Sequence, residues 1–171
     1  LLYAHSLFYF ASIGILLWRA QQDGFGMSVI LGGLSVGIVG GISGIINAHE
    51  CGHRKKRSMI WRLARINLFL VLYSHFTTEH NHGHHKNYAT VLDPASSPAG
   101  RGLWTQIVMT IPRQYKSAWS THSKKGKTGL KNPILHGTVL QIVFLALLLQ
   151  ISTSVLYAFL IQAALAIILL S

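Results

Sequence analysis

An apolar run without a charged side chain occupies residues 27–48 and reads MSVILGGLSVGIVGGISGIINA. At a helical rise of about 1.5 Å per residue, a run of this length crosses a hydrocarbon core of roughly 30 Å. A turn is predicted at the ISTS sequence of residues 151–154. Three further runs are predicted to cross the membrane, at residues 1–20, 134–150 and 155–170. The sequence therefore predicts an all-α, polytopic transmembrane helical bundle, with residues 1–171 as one membrane domain.

The composition supports this class. Hydrophobic residues make up 50% of the chain and charged residues only 11%, against about 25% charged in a typical soluble domain. These values exclude a soluble, disordered or collagen-like protein, and the lone Cys51 excludes an internal disulfide framework. The chain begins with Leu1 rather than methionine and ends within an apolar run, so we expect an internal fragment of a longer protein.

The basic residues predict the orientation. All Lys and Arg residues except Arg19 lie between positions 54 and 131. The positive-inside rule then places residues 49–133 in the cytoplasm, beneath the inner or plasma membrane if the source is bacterial. We expect the basic run at residues 54–57 to contact lipid head groups or to dock an acidic partner. No nucleic-acid partner is expected.

Two sequence features predict how the helices pack and where an intervening segment lies. Gly33, Gly37 and Gly41 recur every four residues and predict a stripe for close helix packing. Residues 103–120 mix apolar, aromatic and basic side chains, are interrupted by Pro112, and are predicted to lie at the membrane interface.

Histidines are concentrated in the predicted cytoplasmic region. His49 and His53 occur in HECGH, and His80, His84 and His85 occur in EHNHGHH. On a helix, residues four apart share a face, which pairs His49 with His53 and His80 with His84, while His85 lies one residue further round. Neutral imidazole suits iron, zinc, copper and nickel. The pattern predicts a histidine-rich metal-binding cap for one or two ions.

Four neighbouring residues are candidates for orienting these ligands through hydrogen bonds: Glu50, Glu79, His75 and His82. Either glutamate could instead bind metal directly. His82 is equally compatible with a solvent-exposed position, and His75 with a structural one. The isolated histidines are assigned no role: His5, His122 and His136.

Residues 61–76 constrain the site because they separate the two histidine clusters. They are too few to cross the membrane twice, and a single crossing would put the clusters on opposite sides. We therefore expect this segment to lie along the interface or to cap the bundle. The histidines would then lie at the cytoplasmic helix ends, above an apolar cavity that suits an oily substrate.

The motifs HECGHRK and SHFTTEHNHGHHKNYATVLDPASS resemble those of the alkane 1-monooxygenase family, which are integral-membrane, non-haem di-iron hydroxylases. The specific elements are EHN-x-GHH, the AT pair and DPASS, which occur in the family's order. The resemblance departs at Cys51, Arg54, Ser74 and His82, where the family usually has other residues. It covers most of the chain and is weak in the apolar runs.

The resemblance implies five iron ligands in this chain: His49, His53, His80, His84 and His85. It further implies two non-haem iron ions, O2 as co-substrate, a hydrophobic alkyl substrate and a rubredoxin-type electron donor. The family has further histidine boxes downstream and uses about nine histidines in all. We therefore expect the fragment alone to be inactive and the whole protein to hold the complete centre.

Four other functions are weighed. Two belong to the same superfamily, a fatty-acyl desaturase or hydroxylase and an aromatic-methyl hydroxylase. HExxH with a third ligand would suit an intramembrane zinc protease, but the second cluster is richer in histidine than a protease needs. The last is a membrane subunit that keeps the fold without a working metal centre.

Overall fold

The computed structural model describes residues 1–170, and within them every regular element is helical. Among residues 1–170, three helices are long and apolar enough to cross a membrane: Met27–Gly52, Pro133–Ile151 and Thr153–Leu170. The predicted all-α class with membrane-length helices is confirmed. The first helix is also long enough by its residue count, and its crossing stays a prediction. The chain divides into two compact units.

The first unit comprises Leu1–Tyr73 and Leu140–Leu170. Its helices are α1 (Leu2–Asp23), α2 (Met27–Val39), α3 (Asn47–Gly52), α4 (Met59–Leu70) and α9 (Thr153–Leu170), together with the end of α8 (Pro133–Ile151). A π-helical segment, Gly40–Ile46, joins α2 to α3 without a break. The break between α8 and α9 falls at Ser152, whose hydroxyl accepts a hydrogen bond from Val155 N at 3.1 Å.

Glycines bring α2 and α9 into close contact. A Cβ atom added at Gly33 would lie 2.8 Å from Ile161 Cγ2, and one added at Gly37 would lie 2.8 Å from Leu165 Cβ. Both distances are shorter than van der Waals contact, so these positions have no room for a side chain. The predicted packing role of the glycine stripe holds at these two positions.

Buried polar contacts connect the helices of the first unit. Ser6 Oγ accepts hydrogen bonds from Asn47 Nδ2 and Asn67 Nδ2, each at 2.8 Å, and so connects α1, α3 and α4. Gln162 donates to Leu70 O at 2.9 Å and accepts from the Tyr9 hydroxyl at 2.9 Å. A buried amide without a hydrogen-bond partner would lower the stability of the fold. The bonds to Ser6 therefore hold α3, the helix that ends just before His53, against α1 and α4.

The second unit comprises residues 74–139. It contains α5 (Phe76–Glu79), a π-helical turn (His80–His84), α6 (His85–Asn87), α7 (Leu103–Ser123), a 3-10 turn (Gly129–Lys131) and the first residues of α8. Helix α7 continues through Pro112, whereas the sequence predicted an interruption there. Proline removes only one backbone donor, and the affected carbonyl belongs to Val108, which is exposed and can be solvated.

Candidate metal centre

His49 and His53 form the first histidine pair. His49 lies on α3 and His53 immediately follows it, so the helical period places both rings on one face. Their Nε2 atoms are 3.4 Å apart, and the rings meet edge to face. Glu50 Oε1 lies 3.0 Å from His49 Nδ1. The glutamate thus contacts the ring nitrogen that faces away from the pair, and its role in orienting His49 stays a prediction.

His80 and His85 form the second pair. The backbone N–H of His85 donates to His80 O, an i→i+5 bond that defines a π-helical turn. The wider turn brings residues five apart onto one face, and the Nε2 atoms of His80 and His85 are 3.0 Å apart. The His84 ring stacks on His80 with centroids 5.2 Å apart. The helical period predicted the alignment of His80 with His84, but not the closer approach of His85.

The Asp93 carboxylate contacts His84. Its Oδ2 lies 2.9 Å from His84 Nδ1, and the Asp93 side chain has no exposed surface. Ser96 Oγ at 2.5 Å and the Ala95 N–H at 3.0 Å also donate to this carboxylate. Burial raises the pKa of Asp93, but these donors and the nearby His84 ring outweigh it, and the net pKa is lowered. An ionised carboxylate at Nδ1 favours the imidazole tautomer whose Nε2 is available to a metal.

The sequence predicts no role for Asp93. The available signal was its place in DPASS, the last motif of the resemblance. The serine and the alanine amide of that motif are the groups that hold the carboxylate. Because Asp93 follows His84 by nine residues across an irregular loop, no helical or strand period connects the two.

Glu79 is buried behind the second histidine cluster, with 1% of its surface exposed. Burial raises its pKa to about 7, the charge of Asp93 adds to the rise, and hydrogen bonds from Ser117 and the His84 backbone N–H oppose it. A Cβ atom at Gly83 would collide with the Glu79 carboxylate and lie 2.7 Å from Ser117 Oγ. The glycine therefore provides the space that this carboxyl group occupies.

The other candidate residues lie elsewhere in the second unit. His75 is buried, caps the start of α5 and packs edge to face on Tyr115. His82 is exposed and lines a cleft with basic residues. These positions fit the structural alternative for His75 and the solvent-exposed alternative for His82.

Three isolated histidines make contacts of a structural kind. His5 Nδ1 lies 3.1 Å from Ser43 Oγ, and His122 Nε2 lies 3.4 Å from Thr78 Oγ1. His136 Nε2 lies 2.6 Å from Leu130 O.

Each histidine pair suits one metal ion. Two imidazole nitrogens bound to one ion at about 2.1 Å lie roughly 3.0 to 3.4 Å apart, depending on the angle between the bonds. The Nε2 separations of 3.4 Å for His49 with His53 and 3.0 Å for His80 with His85 lie in this range. The donor set is imidazole, which suits iron as well as zinc. The chain thus has the features of an all-helical membrane protein with histidine-based metal binding.

The chain belongs to the family whose model is described as fatty acid desaturase. That model matches residues 26–171. The predicted resemblance is confirmed by relatives named alkane 1-monooxygenase. Alkane 1-monooxygenase 1 of Alcanivorax borkumensis is 35% identical over 148 residues, which cover 82% of this chain and 36% of that protein.

Two further relatives carry the name alkane 1-monooxygenase. The one from Pseudomonas putida is 35% identical over 77% of this chain and 34% of its own length. The one from Ectopseudomonas oleovorans is 36% identical over 69% of this chain and 30% of its own length. The chain spans about a third of the length of these relatives.

Proposed function

We propose that the whole protein hydroxylates the terminal carbon of alkanes or similar alkyl chains with O2 at a non-haem di-iron centre. The observation that carries the proposal is the pair of facing Nε2 atoms in each histidine motif. The names of the relatives support alkane hydroxylation as the reaction. When bound, iron supplies the activation of O2 that no side chain of this chain can supply.

The proposed ligands are His49, His53, His80, His84 and His85. In this proposal Glu50 orients His49, and Asp93 orients His84 through Nδ1. Glu79 holds or releases a proton near neutral pH, because its pKa is about 7. It contacts the His84 backbone, so its charge changes the electrostatic environment of that ligand.

We further propose that the metal site faces the cytoplasm and that electrons come from a rubredoxin-type donor. The distribution of charge supports this orientation, since every Lys and Arg residue except Arg19 lies between positions 54 and 131. An acidic electron-transfer protein would be attracted to such a face, with a rate that falls as salt is added.

Acyl-chain desaturation or hydroxylation is the second candidate, because the matching family model is described as fatty acid desaturase. The two reactions share a long alkyl substrate and differ in the product. A terminal alcohol from an alkane would support the first proposal, and a double bond or hydroxyl group within an acyl chain would support the second.

The test uses the full-length protein purified from membranes. Elemental analysis should find about two irons per chain, and a reduced donor should support conversion of a medium-chain alkane to the 1-alcohol, identified by gas chromatography and mass spectrometry. About one zinc and no iron would contradict the proposal and favour a zinc protease. Absence of any bound metal in an active preparation would contradict all metal-dependent alternatives.

A further inference from the structure

A basic cleft of about 1010 Å³ lies within the second unit, between α7 and residues 81–94. Among the described residues that line it, Asp93 is the sole acid, and it already accepts hydrogen bonds from Ser96 and Ala95 and contacts His84. Five lining residues are basic: Lys86, Arg113, Lys116, Lys124 and Lys125. The cleft therefore concentrates positive charge with little internal compensation.

Helix α7 presents most of this charge in one row. Arg113, Lys116, Ser120 and Lys124 follow one another at spacings of three or four residues, which places them on one helix face. Arg113 and Lys116 are three residues apart, so their charges repel each other. An anion bound between them would relieve this repulsion, and Ser120 and Thr121 place hydroxyl groups among the cations.

Phosphate is the anion that these groups suit best. Its several oxygens accept charge-assisted hydrogen bonds from guanidinium and ammonium groups, and bonds from hydroxyl groups complete its shell. Lys86 approaches from the wall opposite α7. A phosphate bound in the cleft would thus be contacted from both walls.

Apolar side chains at the rim of the cleft favour a phospholipid over a soluble phosphate as the ligand. Val91 and Leu92 line the cleft and are 101% and 73% exposed. Two adjacent apolar side chains so fully exposed are unusual beside a cluster of cations in water, but they suit the boundary between head groups and acyl chains.

Contacts within the second unit place α7 beside the start of a membrane-length helix. Asn132 Nδ2 donates to Trp119 O at 3.2 Å, and the Tyr115 hydroxyl lies 2.9 Å from Thr138 Oγ1. Asn132 directly precedes α8, which is long and apolar enough to cross a membrane. The basic half of α7 therefore lies where α8 would enter the bilayer, at the depth of the head groups.

We propose that this cleft binds the phosphate of an anionic phospholipid, with Val91 and Leu92 against its acyl chains. Neither His80 nor His85 lines this cleft, although Asp93, which contacts His84, does. Lipid binding at this cleft requires both the negative charge of the head group and the contact of the acyl chains with Val91 and Leu92. Basic side chains near an anionic bilayer each strengthen binding about five-fold.

The experiment uses the full-length, metal-loaded protein in detergent. It is incubated with equal amounts of phosphatidylglycerol and phosphatidylcholine of identical acyl chains, and the retained lipids are counted by native mass spectrometry. We expect preferential retention of phosphatidylglycerol. Lys116→Gln combined with Lys124→Gln should weaken that preference roughly 25-fold, at about five-fold for each residue. Lys116→Gln alone should weaken it roughly five-fold.

The matched control is Lys127→Gln combined with Lys131→Gln, which removes the same charge from positions outside the cleft lining. It should leave the lipid preference unchanged. An equal loss in the cleft and control variants would overturn the proposal in favour of diffuse surface charge. Equal retention of the two lipids by the unmodified protein would overturn it as well.

A second arm separates a lipid from a soluble phosphate. Leu92→Ser should reduce phosphatidylglycerol retention without changing the binding of glycerol 3-phosphate, because only the acyl chains contact the rim. If glycerol 3-phosphate displaces the lipid at equal concentration, the apolar rim contributes nothing and the lipid is the wrong occupant. If the cleft variants weaken only the binding of an acidic donor protein, the cleft is a protein interface instead.

Discussion

The carboxylate of Asp93 lies 2.9 Å from Nδ1 of His84, and the Asp93 side chain is wholly buried. Two neighbouring groups of the same loop, the Ser96 hydroxyl and the Ala95 N–H, hold the carboxylate in place. Carboxylates in this position determine which ring nitrogen faces a metal. The loop that follows the histidine cluster is therefore part of the candidate metal centre.

Replacing this carboxylate tests that relationship. Asp93→Asn keeps the size of the side chain but removes its negative charge, so His84 loses its charged partner. We expect metal affinity to fall about 10- to 100-fold, measured as iron retained against a graded series of chelator concentrations. Asp23→Asn, which removes a carboxylate paired with Arg19 in the first unit, should retain iron like the unmodified protein. Equal retention by Asp93→Asn would contradict the orienting role.

The ligand assignment is tested by removing one imidazole from each histidine motif. His49→Ala and His84→Ala in the whole protein should each abolish hydroxylation and lower the bound iron. His136→Ala removes an imidazole that lies outside both histidine motifs and contacts the Leu130 carbonyl, and should leave iron content and product formation unchanged. Undiminished hydroxylation by His84→Ala would refute its role as a ligand.

Gly83 is expected to tolerate no side chain. In Gly83→Ala the new methyl group would collide with the Glu79 carboxylate and crowd Ser117, and Glu79 directly precedes His80. We expect a loss of about 1–3 kcal/mol in stability, accompanied by lower iron content. Gly102→Ala is the matched control, because a Cβ atom there meets nothing within 4 Å. Equal thermal stability and iron content in the two variants would contradict the steric requirement for glycine at position 83.

The close packing of α2 on α9 predicts opposite effects for two glycine substitutions. Gly37→Ala would place a methyl group 2.8 Å from Leu165 Cβ and should destabilise the protein. Gly14→Ala, on α1, meets nothing within 4 Å and should stabilise it by about 0.5–1 kcal/mol, because alanine is the better helix former. Thermal unfolding in one detergent compares them, and a stabilising Gly37→Ala would disprove the close contact.

Patterns of neighbouring residues in the sequence predicted the membrane-length helices and the histidine pair that shares a helix face. The uncharged run at residues 27–48 predicted a membrane-length helix, and the structure has one at Met27–Gly52. The spacing of His49 and His53 predicted a shared face, and their Nε2 atoms are 3.4 Å apart. Both predictions succeed because backbone hydrogen bonding within a helix imposes its period on whatever side chains it carries.

The same reasoning failed where the backbone departs from that period. The π-helical turn at His80–His84 brings His85 to 3.0 Å from His80, whereas the regular period placed it further round. Pro112 was read as an interruption, yet α7 continues through it. At His85 one altered backbone hydrogen bond changes the geometry, and residue type does not specify it. At Pro112 a backbone donor is missing, but the helix continues because the exposed Val108 carbonyl can be solvated.

By itself, the sequence determined the helical class, the membrane-length runs and the histidine motifs, since each follows from the chemistry of neighbouring residues. Only the tertiary structure decided which distant groups meet. It placed the Asp93 carboxylate beside His84 and assembled the basic cleft from α7 and the segment opposite it. These contacts depend on the path of the loop between residues 88 and 102, where the chain follows no repeating hydrogen-bond pattern.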